Sequence, residues 1–130
     1  MSSAYLLDTH ALLWAIYVPE RLRPEVRAAI GNAESTIYAS AVSAYEIALK
    51  HGFAKLDFAE PLARDFLKEI AVPGFIPLSL TAEHARLAGG FQIPHRDPFD
   101  RMLIAQAQIE KLTLISNETL FDQFGVIRCW

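Results

Sequence analysis

The sequence predicts an α/β fold in which a central parallel β-sheet is covered by helices on both faces. Short apolar runs that suit buried strands alternate along the chain with longer segments of helical periodicity. The 130 residues, 52% of them hydrophobic and 21% charged, suffice for one domain with its own core. Because no internal repeat or linker divides the chain, we expect a single domain over residues 1–130.

The first half of the chain contains five predicted elements. An apolar run that ends at Asp8 suits a buried strand that leads into a helix. Pro24 and Gly31 delimit a second helix, and Gly52 ends a third. In order, we predict a strand over residues 4–7, a helix over 12–17, a helix over 24–32, a strand over 36–39 and a helix over 43–51.

The second half continues the alternation. A helix with Leu62, Phe66, Leu67 and Ile70 on one face is followed by a short strand, and the pair Gly89–Gly90 closes the next helix. In order, we predict a helix over residues 61–71, a strand over 75–78, helices over 81–88 and 98–110, a strand over 112–115 and a short last strand over 126–127.

Composition excludes several classes of protein. Cys129 is the only cysteine, so an internal disulfide is impossible and a reducing, cytoplasmic setting is expected. Asp8 and His10 stand where a signal peptide would be apolar, and no uncharged apolar run approaches the roughly 20 residues that span a membrane. The net charge of −3 argues against a broad electrostatic grip on nucleic acid. The four histidines lack zinc spacing, and the sequence has neither a phosphate-binding P-loop nor a nucleophile elbow.

Acidic residues converge on one end of the predicted sheet. Asp97 and Asp100 stand at the start of one helix, and Asp8 and Glu118 follow predicted strands, at the end where α/β sheets bind ligands. Carboxylates held this close repel one another unless a cation intervenes, and Mg²⁺ and Mn²⁺ prefer such oxygen ligands. The pattern, with Glu46 added, therefore favours metal-dependent chemistry on a phosphate ester.

Helix capping is an alternative explanation for some of these acids. Ser43 and Glu46 match a capping box, in which Glu46 would reach back to the Ser43 amide. Asp97 before Pro98 is a favourable N-cap, and Asp100 lies at the positive end of a helix dipole. Asp8 has no comparable structural role from the sequence alone, so the metal interpretation depends on convergence.

Together these segments resemble PIN-domain ribonucleases, and in particular the VapC-type toxins of bacterial toxin–antitoxin pairs. The likeness covers nearly the whole chain. It is carried by YLLDTHALLW at residues 5–14, SAVSAYEIA at 40–48, the segment from 95 to 107 that contains DPFDR, and LTLIS at 112–116.

The resemblance implies a PIN fold and a Mg²⁺- or Mn²⁺-dependent endoribonuclease. The family's acids correspond to Asp8, Glu46 and Asp100, with Glu118 as the fourth and Asp122 as its substitute; whether one or two metals bind is open. Supporting positions would be Asp97, as cap or outer support, and Thr9 and Ser116, whose hydroxyls would orient the carboxylates.

The same resemblance implies partners. Family members form homodimers, or larger toxin–antitoxin assemblies, and are inhibited by a cognate antitoxin; no membrane is involved. The substrate is RNA, whose phosphates Arg96 and Arg101 would bind, with Lys50 and Lys55 as weaker candidates. The candidate antitoxin surface is apolar and comprises Leu12, Leu13, Trp14, Ile16 and Tyr17, some of which must instead pack in the core.

Two other functions stay open. One is a catalytically silent PIN-like module that binds RNA or protein. The other is a phosphatase that forms an aspartyl-phosphate, but His10 stands where such enzymes carry a second Asp.

Overall fold

A five-stranded, entirely parallel sheet forms the centre of the computed structural model, which describes residues 3–94 and 97–130. Each neighbouring pair of strands is parallel, and helices connect them. The predicted α/β fold is thus confirmed. The strands are β1 (Ser3–Leu7), β2 (Ser35–Ser40), β3 (Ile76–Leu78), β4 (Thr113–Ile115) and β5 (Arg128–Cys129), in the spatial order β3-β2-β1-β4-β5.

Helices flank this sheet on both faces. Short 3₁₀ turns occur at Pro19–Arg21, Asp57–Ala59 and Thr119–Phe124. No helix in residues 3–94 or 97–130 is long and apolar enough to cross a membrane. The helices are α1 (Thr9–Tyr17), α2 (Pro24–Gly31), α3 (Ala41–Gly52), α4 (Glu60–Arg64), α5 (Phe66–Ala71), α6 (Ala82–Gly90) and α7 (Pro98–Glu110).

Several predicted elements were wrong in detail; α1, for example, begins at Thr9, three residues earlier than predicted. The helix predicted over residues 61–71 is interrupted at Asp65, which leaves the helical conformation and accepts a hydrogen bond from the Lys68 amide as the cap of α5. Leu67, predicted on the apolar face, is therefore largely exposed. The last strand lies at Arg128–Cys129, two residues later than predicted, because Gly125 in a left-handed conformation first ends the preceding 3₁₀ turn.

The core lies on both sides of β1. Consecutive residues of a strand point to opposite faces, so Leu6 and Leu7, both fully buried, each contribute to a different apolar cluster. Leu7 packs with residues of α1 to α5, and Leu6 packs with α7 and the segment after β4. Burying one such leucine is worth about 1.5–3 kcal/mol. These two layers fix the ends of β1 and β4, from which the candidate site is built.

Candidate functional site

The carboxyl ends of β1 and β4 bring distant parts of the sequence together. Leu7 and Ile115 are paired, and the Asp8 amide donates to the Ile115 carbonyl at 3.0 Å. Asp8 and Ser116, the residues that follow the two strands, are therefore neighbours at the sheet edge. This is the edge at which parallel α/β sheets bind ligands, as the sequence predicted.

A polar cavity of about 210 Å³ opens at this edge. Five carboxylates reach it from four parts of the chain: the end of β1, α3, the start of α7 and the turn after β4. The predicted convergence of the acids is thus present in the structure. The residues that line the cavity are Asp8, Thr9, His10, Glu46, Lys50, Asp97, Asp100, Asn117, Glu118 and Phe121.

Asp8 is nearly buried, with 6% of its surface exposed. Its Oδ1 accepts a hydrogen bond from the Ala11 amide at 2.7 Å, so Asp8 is the N-cap of α1, a structural role that the sequence did not reveal. Burial raises the pKa of Asp8, and the negative charge of Glu46 raises it further; the Ser116 hydroxyl, the Ala11 amide and His10 act in the opposite direction. A raised pKa means that the surrounding protein does not fully compensate this charge.

Glu46 is also nearly buried, with 5% exposed, and side chains hold both of its oxygens. Thr9 Oγ1 donates to Oε1 at 2.6 Å and also contacts Ser43 Oγ at 3.0 Å. Lys50, one turn further along α3, donates from Nζ to Oε2 and forms an ion pair with it. The position of Glu46 is thus fixed by neighbours on α1 and α3.

The capping-box explanation for Glu46 was wrong. Helix α3 begins at Ala41, and its cap is Ser40, whose Oγ accepts from the Val42 amide at 2.9 Å and donates to Gln106 Oε1 at 2.6 Å. Because the helix starts earlier than predicted, Glu46 lies in the second turn, beyond the free amides of the helix start. Capping therefore does not account for the presence of Glu46 in the cavity.

Asp97, by contrast, is the N-cap of α7, as predicted. Its Oδ1 accepts from the amides of Phe99 at 2.9 Å and Asp100 at 3.1 Å. The cap fixes the first turn of the helix, and Asp100 extends from that turn into the cavity. Asp100 is half-buried, so it is more accessible to solvent than Asp8 or Glu46.

The structure distinguishes between the two candidates for the fourth acid by position. Glu118 lines the cavity, and its amide donates to Ser116 Oγ at 3.0 Å. Asp122 does not line the cavity; instead it forms a bidentate ion pair with Arg128, at 2.9 and 3.0 Å. Arg128 therefore holds the pKa of Asp122 below its ordinary value. Glu118 is thus the candidate that lies in the cavity with Asp8 and Glu46.

Arg101 is not positioned as predicted for a phosphate ligand. Its guanidinium donates to three backbone carbonyls, those of Ala88 and Ile93 at 3.0 Å and of Phe91 at 2.7 Å, and lies over the Phe91 ring. These bonds secure the segment between α6 and α7 and leave Arg101 outside the cavity lining. Arg101 therefore supports the structure beside the cavity, and its role in phosphate binding stays a prediction. The other predicted phosphate ligand, Arg96, lies outside the described residues.

Sequence reasoning missed three residues that line the cavity: His10, Asn117 and Phe121. His10 and Asn117 each adjoin a predicted site residue, so proximity in sequence was the available signal. Phe121 gave no such signal, because its place depends on the 3₁₀ turn that Glu118 caps through the Leu120 amide at 3.1 Å.

The chemistry of the cavity fits a hard divalent cation. Its acidic side chains offer only oxygen donors, and burial raises the pKa of Asp8, so a cation beside this carboxylate would stabilise its ionised form. Within residues 3–94 and 97–130, however, no three His, Cys, Asp or Glu side chains are arranged to hold a metal ion. Glu46 instead faces Thr9 and Lys50, and Glu118 faces a backbone amide. Carboxylates thus line the cavity, but their side chains would have to rearrange in order to ligate a metal.

Comparison with known proteins agrees with this architecture. The sequence matches the PIN domain family over residues 5–127, and the chain belongs to that family. No curated protein matches it.

Several solved structures have the same fold. VapBC2 from Rickettsia felis, bound to a DNA fragment from its promoter, has a TM-score of 0.71 at 18% identity and 97% coverage of both chains. FitAcB from Neisseria gonorrhoeae has a TM-score of 0.59 at 19% identity, with 95% of each chain covered. VapBC-1 from nontypeable Haemophilus influenzae has a TM-score of 0.60 at 14% identity, covering 97% of this chain and 96% of that one. At these identities the likeness extends to the fold alone.

Proposed function

We propose that this protein is a Mg²⁺- or Mn²⁺-dependent endoribonuclease and the toxin of a toxin–antitoxin pair. The observation that carries the proposal is the nearly complete burial of two carboxylates, Asp8 and Glu46, that line the same open cavity. Two such charges close together are unfavourable, and the single ammonium of Lys50, which pairs with Glu46, offsets only one of them. A function that uses these two carboxylates accounts for the free-energy cost of burying them, whereas a silent binding module does not.

In the proposed site, Asp8, Glu46 and Asp100 would hold the metal, with Glu118 as the fourth ligand. When bound, a divalent metal supplies an activated water and offsets the charge that grows on a phosphate during hydrolysis. The hydroxyls of Thr9 and Ser116 would hold Glu46 and Asp8 in position, as their hydrogen bonds support. Asp97 would fix the start of α7 and hence the direction of Asp100.

The substrate of the proposed reaction is RNA. The chain carries a net charge of −3, so its grip on a polyanion would be local rather than broad. Lys50 and His10 are the basic side chains among the described residues that line the cavity. Such weak, local binding favours recognition of a particular folded RNA over scanning of any strand. We expect the reaction to occur in the cytoplasm.

A cognate antitoxin is the proposed partner, and a homodimer the proposed assembly. Support for the antitoxin is the fold shared with VapBC proteins and with a toxin–antitoxin complex from Klebsiella pneumoniae, which has a TM-score of 0.60 at 18% identity. Leu12 and Leu13 are core residues and are removed from the candidate antitoxin surface. Trp14, Ile16 and Tyr17 remain, each half-buried.

Cleavage of total bacterial RNA by the purified, antitoxin-free protein tests the proposal. The reaction is run with Mn²⁺ or with EDTA, for the wild type, Asp8→Asn and the control Asp122→Asn, whose acid lies outside the cavity. We expect discrete fragments from the wild type and the control only when Mn²⁺ is present, and none from Asp8→Asn. Cleavage that persists in EDTA or in Asp8→Asn would refute the metal mechanism. Absence of cleavage together with absence of Mn²⁺ binding would favour the silent module.

A further inference from the structure

The two oxygens of Glu46 are both occupied by groups of the protein itself. Thr9 holds Oε1, and Lys50 holds Oε2. The Glu46 side chain is only 6% exposed, whereas that of Lys50 is 36% exposed. The buried carboxylate is therefore fixed, and the more mobile member of the pair is the lysine at its solvent side.

Lys50 has the chemistry of an exchangeable cation. Its ammonium is a compact charge on a flexible four-carbon stem, unlike the rigid, forked guanidinium of arginine. It shares the cavity with five carboxylates, so an ammonium that leaves Glu46 stays in a negative environment. It also lies one helical turn from Glu46, a spacing at which the contact forms and breaks without a change in the backbone.

We propose that Lys50 is an internal counter-ion that occupies the place of the metal at Glu46 and is displaced when a divalent cation binds. A nearly buried carboxylate needs a positive partner whether or not metal is present, and Lys50 supplies it in the metal-free protein. An ammonium and a divalent cation at the same carboxylate oxygen repel each other, so each disfavours the other at Oε2. Lys50 therefore competes with the metal, and this inference depends on the metal site of the proposed function.

The displacement has a consequence for the substrate. Once released from Glu46, the ammonium remains on the cavity wall, where an incoming phosphate needs a cation. Lys50 is thus a positioning residue in two states: it holds Glu46 without metal and faces the substrate side with metal. Metal binding and the availability of Lys50 for phosphate are then coupled.

Mn²⁺ affinity, measured by the electron paramagnetic resonance of free Mn²⁺, tests the competition. The variants are Lys50→Met, Lys50→Arg and the control Lys68→Met, which removes the same charge from the exposed face of α5. We expect Lys50→Met to bind Mn²⁺ about tenfold more tightly, since a competing charge beside the metal has gone. Lys50→Arg and Lys68→Met should stay within about threefold of the wild type, because Lys50→Arg keeps the competing charge and Lys68→Met alters only a distant, screened one.

The outcomes separate the two proposals. If the wild type binds Mn²⁺ and Lys50→Met binds it no more tightly, the counter-ion inference is wrong while the metal site stands. If neither protein binds Mn²⁺, both fail. Tighter binding in Lys50→Met alone, with Lys50→Arg unchanged, supports the inference.

A second measurement uses the unaltered protein, in case Lys50→Met does not fold. The lysine side-chain signals of isotope-labelled protein are followed by nuclear magnetic resonance during titration with Mg²⁺. The Lys50 signal should shift with metal occupancy as its ion pair with Glu46 breaks, and the Lys68 signal should not. A Lys50 signal that stays unchanged while the metal binds would overturn the inference.

Discussion

The cavity has an inner and an outer half, and their acids are held in different ways. The inner acids, Asp8 and Glu46, are nearly buried and contact the hydroxyls of Ser116 and Thr9; Asp8 in addition caps α1 through the Ala11 amide. The outer acids Asp97 and Glu118 are more exposed and accept hydrogen bonds from backbone amides at the start of helical turns. An outer acid is therefore partly explained by capping, whereas Glu46 is explained only by its site.

This difference assigns separate tasks to the two halves. Capping acids stabilise the fold wherever they occur, so their presence alone says little about chemistry. A buried carboxylate in an open cavity costs stability unless it is paired. We therefore expect substitutions in the inner half to separate activity from stability, and substitutions in the outer half to affect both modestly.

The largest expected effect is that of Asp8→Asn. We expect RNA cleavage to fall more than about 100-fold, beyond the 10–100-fold typical of a group that only supports a metal ligand. Asparagine caps helices as well as aspartate does and carries no charge to bury, so the melting temperature without metal should stay equal or rise. Cleavage rates measure the loss of activity, and thermal melts measure the melting temperature without metal. A destabilised variant would show that Asp8 serves mainly the fold.

Thr9→Val should have the next largest effect. We expect RNA cleavage to fall about 10–100-fold, because the hydrogen bond that orients Glu46 is lost. The control is Thr36→Val, the same chemical change on β2 away from the cavity. The initial cleavage rates of the two variants are compared at saturating Mn²⁺. Equal rates in Thr9→Val and the control would mean that Glu46 needs no such support.

Arg101→Met should act on stability rather than on catalysis. The variant loses charged hydrogen bonds to three carbonyls, and we expect unfolding by urea to require about 2 kcal/mol less free energy. The cleavage rate per folded molecule should be nearly unchanged. A stable variant with weakened RNA binding would instead restore the role in phosphate binding that the sequence predicted.

The outer half can be tested with a matched pair of acids. Glu118→Gln removes a cavity carboxylate, and we expect roughly tenfold slower cleavage, the lower end for a group that supports a metal site. Asp122→Asn removes a carboxylate of the same turn that is paired with Arg128 outside the cavity, and its rate should match the wild type. If Asp122→Asn cleaved RNA more slowly than Glu118→Gln, then Asp122 rather than Glu118 would be the fourth acid of the site.

The smallest expected effect is a pH dependence of stability without metal. The pKa of Asp8 is raised above its ordinary value of 3.8 by burial, so the folded protein holds this proton more tightly than the unfolded chain. The stabilisation is complete below that ordinary value and is lost as the pH rises through the raised pKa. The slope for one proton is at most about 1.4 kcal/mol per pH unit. Urea unfolding across this window should show the loss in the wild type and not in Asp8→Asn.

The fold was predictable because the strand and helix signals are local. The apolar run before Asp8 and the cap at Asp97 each identify an element without reference to the rest of the chain. Where more than one residue can cap a helix, the limits of the helix were predicted wrongly. Asp65 breaks a helix that periodicity alone would continue, and Ser40 starts α3 before the Ser43 that the sequence favoured.

The site was only partly predictable, because contacts across the chain decide it. The sequence predicted that Asp8, Glu46, Asp100 and Glu118 converge, but it did not predict the strand order that brings them to one cavity. The i,i+4 spacing permits the ion pair between Lys50 and Glu46 but does not require it, and the use of Arg101 on backbone carbonyls depends on side-chain geometry that spacing does not encode. Charged residues near a motif are therefore poor guides to substrate contacts.

We propose that these carboxylates converge in order to hold a divalent metal. A crystal grown or soaked with Mn²⁺ tests it most directly through anomalous scattering. We expect an anomalous peak within ligand distance of Asp8, Glu46 and Asp100, with Lys50 moved away from Glu46. Absence of a peak in the cavity at saturating Mn²⁺, with Lys50 still paired to Glu46, would contradict it.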